Sequence, residues 1–270
     1  MEIHTLYPED LEQFLSEHTE TDYQIVDVRQ PQEYETGHIP GAKLLPLSEL
    51  EGRLDELAED RNLIFYCRSG KRSSMGAALA RDSGLVNGSI ANLVGGISGW
   101  QGKVLDEFPQ FEALQGMDDP EQALEQAMNM EKGTSVLYES MVEQSAGLAI
   151  ESTLAKLAKM EAAHARAIYR FLSKTKDMEP FEAFFANLNG DLVEGGWNLE
   201  AALERLRQKN GNTCLFLTEM ALELEYRAYD LYRTLADTAS DPEQQQALFF
   251  LSEQEKAHVR LLTRGLPGCF

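Results

Sequence analysis

One short segment concentrates the residue types that nucleophilic chemistry needs. Cys67 stands where an apolar run at 63–66 ends and a helical stretch is about to begin. Backbone N–H groups at such a turn point inward and the helix dipole adds partial positive charge, so the thiolate is favoured over the thiol. The residues that follow could bind an anionic substrate, and they are Arg68, Ser69, Gly70, Lys71, Arg72 and Ser73. The segment predicts a nucleophilic cysteine, although a free core cysteine beside a solvated basic turn would have the same sequence.

The second half of the chain holds carboxylates and imidazoles at the spacing of metal ligands. Two Glu-x-x-His pairs occur, and each is preceded by another glutamate at the same interval. Residues at i and i+3 share one face of a helix. One glutamate from each of two helices, with Glu-x-x-His from each of two others, is the ligand set of dinuclear carboxylate bundles. The predicted ligands are Glu131, Glu161, His164, Glu225, Glu255 and His258.

The charges of this set match two divalent cations, because it contains four carboxylates. Oxygen-rich ligation with two imidazoles favours iron, with manganese as the alternative. The competing interpretation is a metal-free bundle whose acids lie on solvated helix faces. Tyr138 and Tyr232 follow the first glutamate of each repeat. They could donate hydrogen bonds to the cluster or form radicals, but we expect them to serve packing.

The elements around the cysteine segment are predicted to alternate between strand and helix. Apolar runs at 23–28 and 63–66 are typical of parallel strands that are buried on both faces. Helical stretches lie at 11–17 and 71–81, and glycine and proline punctuate the sequence throughout. Residues 1–108 therefore predict an α/β domain with a parallel sheet.

After residue 108 the pattern changes to that of an all-α bundle. Asp-Pro-Glu-Gln occurs at 119–122 and at 241–244, and it offers an aspartate cap, a proline at the first helical position and an early acid. Four long helices are predicted, at about 120–146, 149–174, 212–238 and 242–264. One long crossover between the second and third is the ferritin-like connectivity. We place a linker at 109–118 and the helical domain at 119–270.

The composition excludes several classes of protein. With 270 residues, of which 43% are hydrophobic, the chain fits two folded domains. A net charge of −21, carried by both halves, disfavours nucleic acid and anionic membranes. No apolar run is long enough to span a bilayer and the N-terminus lacks the features of a signal peptide, so we expect a cytoplasmic protein. Three widely spaced cysteines argue against a disulfide framework, and Cys269 is interpreted as a stray thiol.

Four motifs in the first domain occur in the order and spacing of a known family. They are Asp27-Val28-Arg29 with Glu33-Tyr34, then Gly37-His38-Ile39-Pro40-Gly41-Ala42, then the cysteine segment, and finally Gly95-Gly96-Ile97-Ser98-Gly99-Trp100. Residues 1–108 thereby resemble the single-domain rhodanese family, and the loop length is similar to that of its thiosulfate-using branch.

The rhodanese resemblance implies a persulfide cycle. Cys67 would take a sulfane sulfur from a small anion such as thiosulfate, hold it as a transient persulfide and pass it to a thiol or to cyanide. The backbone N–H groups of the loop would hold the persulfide, and its three cations would orient the donor. By the same resemblance, structural roles are expected for Asp27, Arg29, Glu33 and His38.

The second half resembles the rubrerythrin and ferritin-like families over residues 119–264. The resemblance implies that Glu161 and Glu255 bridge two iron ions. Each ion would then have a terminal glutamate and histidine, which are Glu131 with His164 and Glu225 with His258.

Two departures from the typical rubrerythrin pattern are visible. A second glutamate ligand is expected near Glu225, but Leu222 and Ala228 occupy the positions three residues to either side. The three cysteines also do not form a rubredoxin-like iron module. An internal electron relay to the metals is therefore not expected.

The sequence thus predicts a sulfurtransferase fused to a di-iron carboxylate domain with an oxygen, peroxide or iron-handling role. The alternative is a non-catalytic sulfur-carrier or binding module joined to a metal-binding or dimerisation bundle. Because ferritin-like bundles commonly pair through helix faces, we expect a homodimer.

Overall fold

The structure is a computed structural model that describes residues 2–110, 120–174, 176–208 and 211–270. The chain divides into two compact units between Phe108 and Pro109. From residue 111 onward the predicted linker lies outside the described residues, as does the predicted cap Asp119. In the described parts of the chain, no helix combines the length and the apolar character that crossing a membrane requires.

The first unit is built on a five-stranded parallel sheet with the order β1-β5-β4-β2-β3. The strands are β1 Ile3–Leu6, β2 Tyr23–Asp27, β3 Lys43–Leu44, β4 Asn62–Tyr66 and β5 Ile90–Leu93. The helices are α1 Pro8–Glu17, α2 Pro31–Glu35, α3 Leu47–Leu50, α4 Lys71–Ser83 and α5 Gly96–Gly99, and a 3₁₀ turn covers Glu51–Glu56. The predicted α/β fold with a parallel sheet is confirmed.

Both faces of this sheet are covered, which explains the unbroken apolar runs in its sequence. On the central strand β4, Leu63 and Phe65 pack into one core, whereas Ile64 and Tyr66 pack into another. Successive side chains of a strand point to opposite faces, so the two cores lie on the two sides of the sheet. Ligand sites in open parallel sheets form beyond the carboxyl ends of the strands, and Cys67 follows β4 at such an end.

The second unit consists of four long helices with a crossover between the second and the third. The long helices are α6 Pro120–Gln144, α7 Glu151–Leu172, α10 Thr213–Thr238 and α11 Pro242–Gly265. The crossover contains α8 Phe181–Asn187, a 3₁₀ turn at Glu194–Gly196 and α9 Leu199–Arg207, and a last 3₁₀ turn covers Leu266–Cys269. The predicted helices with one long connection are thus present, each within a few residues of its predicted ends.

Polar side chains begin two of the long helices. Asn212 accepts a hydrogen bond from the backbone of Leu215 at the start of α10. Asp241 accepts one from Gln244, at 2.8 Å, at the start of α11, and Pro242 stands at the first helical position. These bonds satisfy N–H groups that have no partner within the helix, so the predicted aspartate cap of α11 is present.

Two apolar clusters fill the bundle, and a polar layer interrupts each helix between them. On α6, Met128 and Leu137 belong to different clusters, with Glu131 between them in sequence. The same division occurs on α7, α10 and α11. The predicted metal ligands therefore occupy one level of the bundle, enclosed above and below by side chains that exclude water.

Cys214 and Cys269 form a disulfide, so the expectation that Cys269 is a stray thiol is wrong. The bond joins the start of α10 to the turn that follows α11, across a sequence separation of 55 residues. The side chain of Asn212 also donates to the carbonyl oxygen of Cys269 at 2.7 Å. The packing of α10 beside α11 brings these distant cysteines together, and Cys67 is left as the free cysteine of the chain.

Candidate functional sites

Cys67 lies in a tight turn between β4 and α4. Its side chain is 1% exposed. The Sγ atom accepts hydrogen bonds from the backbone N–H of Gly70 at 3.2 Å and from the hydroxyl of Ser73 at 3.5 Å. Gly70 has a φ of 89°, a left-handed conformation that glycine adopts without strain. The turn therefore directs hydrogen-bond donors toward the sulfur.

Gly95 and Gly96, at the start of α5, pack against the backbone of this turn. A Cβ atom on Gly96 would lie 2.1 Å from the carbonyl oxygen of Cys67, so only glycine fits there. The same oxygen accepts a hydrogen bond from Ile97 at 2.9 Å. The Gly95-Gly96 motif therefore fixes the backbone of the cysteine.

The local environment favours ionisation of the thiol. Burial by itself raises the pKa of Cys67, but hydrogen bonds from Ser73, Ser69 and Gly70 outweigh burial and bring the pKa below its ordinary value of 9.0. A thiolate is the reactive form of cysteine in nucleophilic displacement. The site is therefore suited to attack on an electrophilic sulfur.

The three cations of the loop differ in their surroundings. Arg68 and Lys71 are exposed. Arg72 donates two hydrogen bonds, of 2.6 and 2.7 Å, to the Glu33 carboxylate, and this ion pair links α4 to α2. Arg72 lowers the pKa of Glu33 to about 2, and Glu33 and Cys67 both raise the pKa of Arg72. Arg72 is therefore engaged with Glu33, whereas Arg68 and Lys71 extend into solvent.

The residues that were expected to be structural brace the neighbouring loops. Asp27 and Arg29 form a buried ion pair at 2.7 Å, and Arg29 also donates to the carbonyl oxygen of Gly37 at 2.6 Å. His38 is fully buried and stacks on Tyr34, with 3.8 Å between the ring centroids.

In the second unit, the six predicted metal ligands converge in the polar layer of the bundle. All six are buried, and His164, the most accessible of them, is 4% exposed. The alternative in which these acids lie on solvated helix faces does not hold. Possible ligand atoms of the two Glu-x-x-His pairs and of Glu131 and Glu225 form groups of three in which all the atoms lie within 4.8 Å of one another.

Glu161 and Glu255 lie between the two histidines. Glu161 is 3.3 Å from Nδ1 of His164 and 3.5 Å from Nδ1 of His258. Glu255 is 3.8 Å and 3.2 Å from the same two atoms. The imidazole rings are stacked with 4.9 Å between their centroids. Each of these carboxylates thus has one oxygen directed to each half of the cluster.

The other two glutamates each accompany one histidine. Glu131 is 3.6 Å from His164, and Glu225 is 3.0 Å from His258. Tyr138 donates a hydrogen bond to Glu225, so the expectation that this tyrosine only packs is wrong. The hydroxyl of Tyr232 has no hydrogen-bond partner among the described residues.

The donor atoms of the cluster are those that a pair of cations would satisfy. Among the described residues, no hydrogen-bond partner is found for either oxygen of Glu131, Glu161 or Glu255. Burial raises the pKa of these three carboxyls well above the ordinary value of 4.5. An isolated buried carboxylate is strongly unfavourable, whereas a bound cation would stabilise it. The residues therefore fit two divalent ions, and the oxygen-rich set with two imidazoles matches iron or manganese.

A further carboxylate, Glu194, joins the cluster and was not predicted. It comes from the crossover, is fully buried, and has ligand atoms within 4.8 Å of those of Glu131 and Glu161. Burial, followed by the charge of Glu225, raises its pKa to about 7. Its position lies outside the helical repeat from which the other ligands were inferred. The only indication in the sequence is an acid beside the Gly-Gly-Trp segment of the crossover.

Comparison with known proteins assigns a family to each unit. The family described as Rhodanese-like domain matches residues 8–103, and the family described as Rubrerythrin matches residues 122–266.

Three relatives are similar to part of the chain. Uncharacterized protein YqhL of Bacillus subtilis is 42% identical over 81 residues, covering 30% of this chain and 63% of that protein. Putative sulfur carrier protein YrkF of the same organism is 42% identical over 79 residues, covering 29% of this chain and 42% of that protein. Sulfurtransferase of Allochromatium vinosum is 40% identical over 79 residues, covering 29% of this chain and 72% of that protein. The chain thus spans less than two thirds of the first two relatives.

The geometry and the comparisons agree on both units. The free cysteine lies in the unit that matches the rhodanese-like domain, and the buried glutamates and histidines lie in the unit that matches rubrerythrin. The rubrerythrin match extends over more than half of the chain. The chain belongs to the rubrerythrin family, and a rhodanese-like domain precedes its rubrerythrin domain.

Proposed function

We propose that the first unit is a sulfurtransferase whose nucleophile is Cys67. The observation that carries this proposal is the free cysteine at the end of β4, with hydrogen-bond donors directed at its sulfur. Its relative from Allochromatium vinosum, called Sulfurtransferase, adds support.

The proposed reaction is a pair of displacements at sulfur. The Cys67 thiolate attacks the outer sulfur of thiosulfate, the S–S bond of the donor breaks, and its electron pair leaves with sulfite. A new S–S bond now joins Cys67 to the transferred sulfur, and the loop N–H groups can stabilise its negative charge by donating hydrogen bonds, as they do to Cys67 Sγ. Cyanide or a thiolate then attacks that outer sulfur and releases the Cys67 thiolate.

An anionic donor needs a local attraction, because the chain carries a net charge of −21. We assign that attraction to Arg68 and Lys71, the two exposed cations of the loop. Arg72 has a positioning role, because both terminal nitrogens of its guanidinium group donate hydrogen bonds to the Glu33 carboxylate. Thiosulfate represents a class of small sulfane-sulfur anions, which share a transferable outer sulfur and negative charge.

We propose that the second unit holds two iron ions, with manganese as the alternative. Bound ions of this kind supply redox chemistry toward oxygen or peroxide. Glu161 and Glu255 would hold both ions, because each reaches toward both histidines. The terminal pairs would be Glu131 with His164 and Glu225 with His258, and Tyr138 would fix the orientation of Glu225. The apolar clusters on both sides would exclude bulk water.

A second candidate function is that of a sulfur carrier without turnover, in which the bundle serves metal binding or dimerisation. The similarity to a putative sulfur carrier protein of Bacillus subtilis favours it. A carrier would load one sulfur per chain and release it only to a specific partner, whereas an enzyme would pass sulfur repeatedly to a small acceptor. In both versions we propose a homodimer.

An assay with thiosulfate as donor and cyanide as acceptor distinguishes these functions. The measured quantity is the number of thiocyanate molecules formed per protein chain. We expect turnover by the wild-type chain and none by Cys67→Ser. A Cys214→Ser/Cys269→Ser double variant is the control, because it removes the other two cysteines and should retain turnover. Thiocyanate production by Cys67→Ser would show that the nucleophile is misassigned. A single equivalent from the wild-type chain would support the carrier.

A further inference from the structure

The carboxylate of Glu194 has an environment that is hard to explain without a cation. It is fully buried, and neither of its oxygens has a hydrogen-bond partner among the described residues. Its nearest possible co-ligands are Glu131 and Glu161, which are also acids. Three ionised carboxylates in close proximity would repel one another strongly, and a bound cation would relieve that repulsion.

The backbone around Glu194 is built to bring this side chain into the bundle. The N–H of Glu194 donates to the buried hydroxyl of Thr134 on α6 at 2.9 Å. The turn closes on itself, because Val193 donates to the carbonyl oxygen of Trp197 at 2.8 Å. Gly195 and Gly196 both have positive φ values, of 75° and 84°. These contacts fix the direction of residue 194 in an otherwise irregular connection.

Two packing contacts anchor the same turn. Gly133 on α6 lies so close to the crossover that a Cβ atom there would be 1.9 Å from the carbonyl oxygen of Leu192. Trp197 lies near two guanidinium groups, with 5.3 Å from its ring centroid to Arg205 and 5.7 Å to Arg227. The close approach to α6 and the anchored indole together hold the crossover against the bundle.

Glu194 also breaks the symmetry of the repeated ligand set. The repeat relates Glu131, Glu161 and His164 to the corresponding residues of the second helix pair, but Glu194 lies between the two halves and has no counterpart. On the opposite side, Glu225 receives a hydroxyl donor from Tyr138 instead. The two proposed metal positions would therefore differ in their ligands, because Glu194 lies close to Glu131 and has no equivalent beside Glu225 in the repeat.

We propose that Glu194 is a seventh metal ligand, supplied by the crossover, that binds the ion held by Glu131 and His164 and makes that position the tighter of the two. This inference rests on the proposed dinuclear centre. Four carboxylates balance two divalent ions, and the fifth adds a negative charge on one side only. Divalent ions should therefore load in order, with the Glu194 side first.

The test is an anaerobic titration of the metal-free, full-length protein with Co(II). Calorimetry and the visible spectrum of the bound ion monitor the titration. For the wild-type chain we expect two separate binding steps. Glu194→Gln keeps the size of the side chain but removes its charge. It should weaken the tighter step roughly tenfold or more and alter its visible spectrum, while the other step stays unchanged. Glu200→Gln, at an exposed position on α9, is the matched control and should bind like the wild type.

Each other outcome has a definite meaning. Two unchanged steps in Glu194→Gln would overturn the inference but leave the dinuclear centre intact. Equal weakening of both steps would also overturn it, because that result indicates a general structural role. If the wild-type chain binds no Co(II), the proposed centre itself fails, and the inference fails with it.

Discussion

At the scale of single residues, the reactivity of Cys67 depends on donors directed at one sulfur atom. The hydroxyl of Ser73 and the N–H of Gly70 bond this sulfur, and together with the backbone of Ser69 they overcome the effect of burial on the thiol pKa. A hydrogen bond to a charged group is stronger than one to a neutral group, so these donors stabilise the thiolate more than the thiol.

We therefore expect Ser73→Ala to raise the pKa of Cys67 by about one to two pH units, since a hydrogen bond to a charged atom contributes about 1.5–3 kcal/mol. The wild-type thiol should ionise below its ordinary pKa of 9.0. The thiolate absorbance measures this directly, because Cys67 is the free cysteine. Ser74→Ala, at the exposed neighbouring position, is the control and should leave the titration curve of thiolate absorbance against pH unchanged. Identical curves for both variants and the wild type would rule out a role for the Ser73 hydroxyl.

Residue type and spacing were sufficient to predict the candidate site residues that lie on, or directly after, regular helices and strands. Cys67 is placed by the end of a buried strand, and the Glu-x-x-His pairs are placed by the period of a helix. Glu194 could not be found in this way, because it belongs to an irregular crossover whose path depends on Trp197 and on close packing against α6. The link between Arg72 and Glu33 was also hidden, since only the fold brings α4 against α2.

At the scale of elements, the closest constraint on the crossover is its contact with Gly133. This residue lies in the interior of α6, where alanine would ordinarily favour the helix. A Cβ atom would, however, meet the carbonyl oxygen of Leu192 at 1.9 Å. The crossover would then have to move away from the polar layer, and it carries Glu194.

We expect Gly133→Ala to destabilise the bundle by about 1–3 kcal/mol, which is the usual cost of overpacking. Gly265→Ala is the matched control, because a Cβ atom at that position has its nearest contact at an ordinary 3.4 Å. Chemical denaturation of metal-free protein, followed by circular dichroism, would measure both variants. Equal or greater stability in Gly133→Ala would contradict the close packing described here.

The disulfide joins the two ends of the second helix pair. Cys214→Ser/Cys269→Ser should lower the free energy of unfolding by about 4 kcal/mol, the chain-entropy value for a loop of this length. The loop between the two cysteines spans 55 residues. Denaturation of the wild-type chain with and without a thiol reductant gives the same comparison without mutation. If neither treatment changes the midpoint, the disulfide does not contribute to stability.

The elements with the strongest periodicity were also the easiest to predict. The four long helices were placed to within a few residues, because each repeats apolar positions over several turns and two begin with the same Asp-Pro-Glu-Gln motif. The short strands β1, β3 and β5 and the crossover helix α9 were not predicted individually, whereas the spacing of Phe181, Phe184 and Phe185 did indicate α8. The disulfide was missed because three cysteines separated by long intervals do not indicate which of them pair.

At the scale of the whole molecule, the two chemistries belong to units with separate apolar cores. The cores of the first unit consist of residues from its sheet and helices, and those of the second consist of residues from the bundle. Damage to one site therefore need not unfold the other. We expect Cys67→Ser to leave the metal content unchanged, as measured by elemental analysis against the wild-type chain. A loss of metal in this variant would show that the two units depend on each other.

The central claim is that the buried acids and imidazoles of the bundle bind two metal ions. The most direct test is the metal content of the full-length chain after anaerobic loading with Fe(II) or Mn(II), beside a Glu161→Ala/His164→Ala variant. We predict about two ions per wild-type chain, as in other dinuclear carboxylate bundles, and a clear loss in the variant. An unloaded wild-type chain, or a variant that retains both ions, would contradict this account of the polar layer.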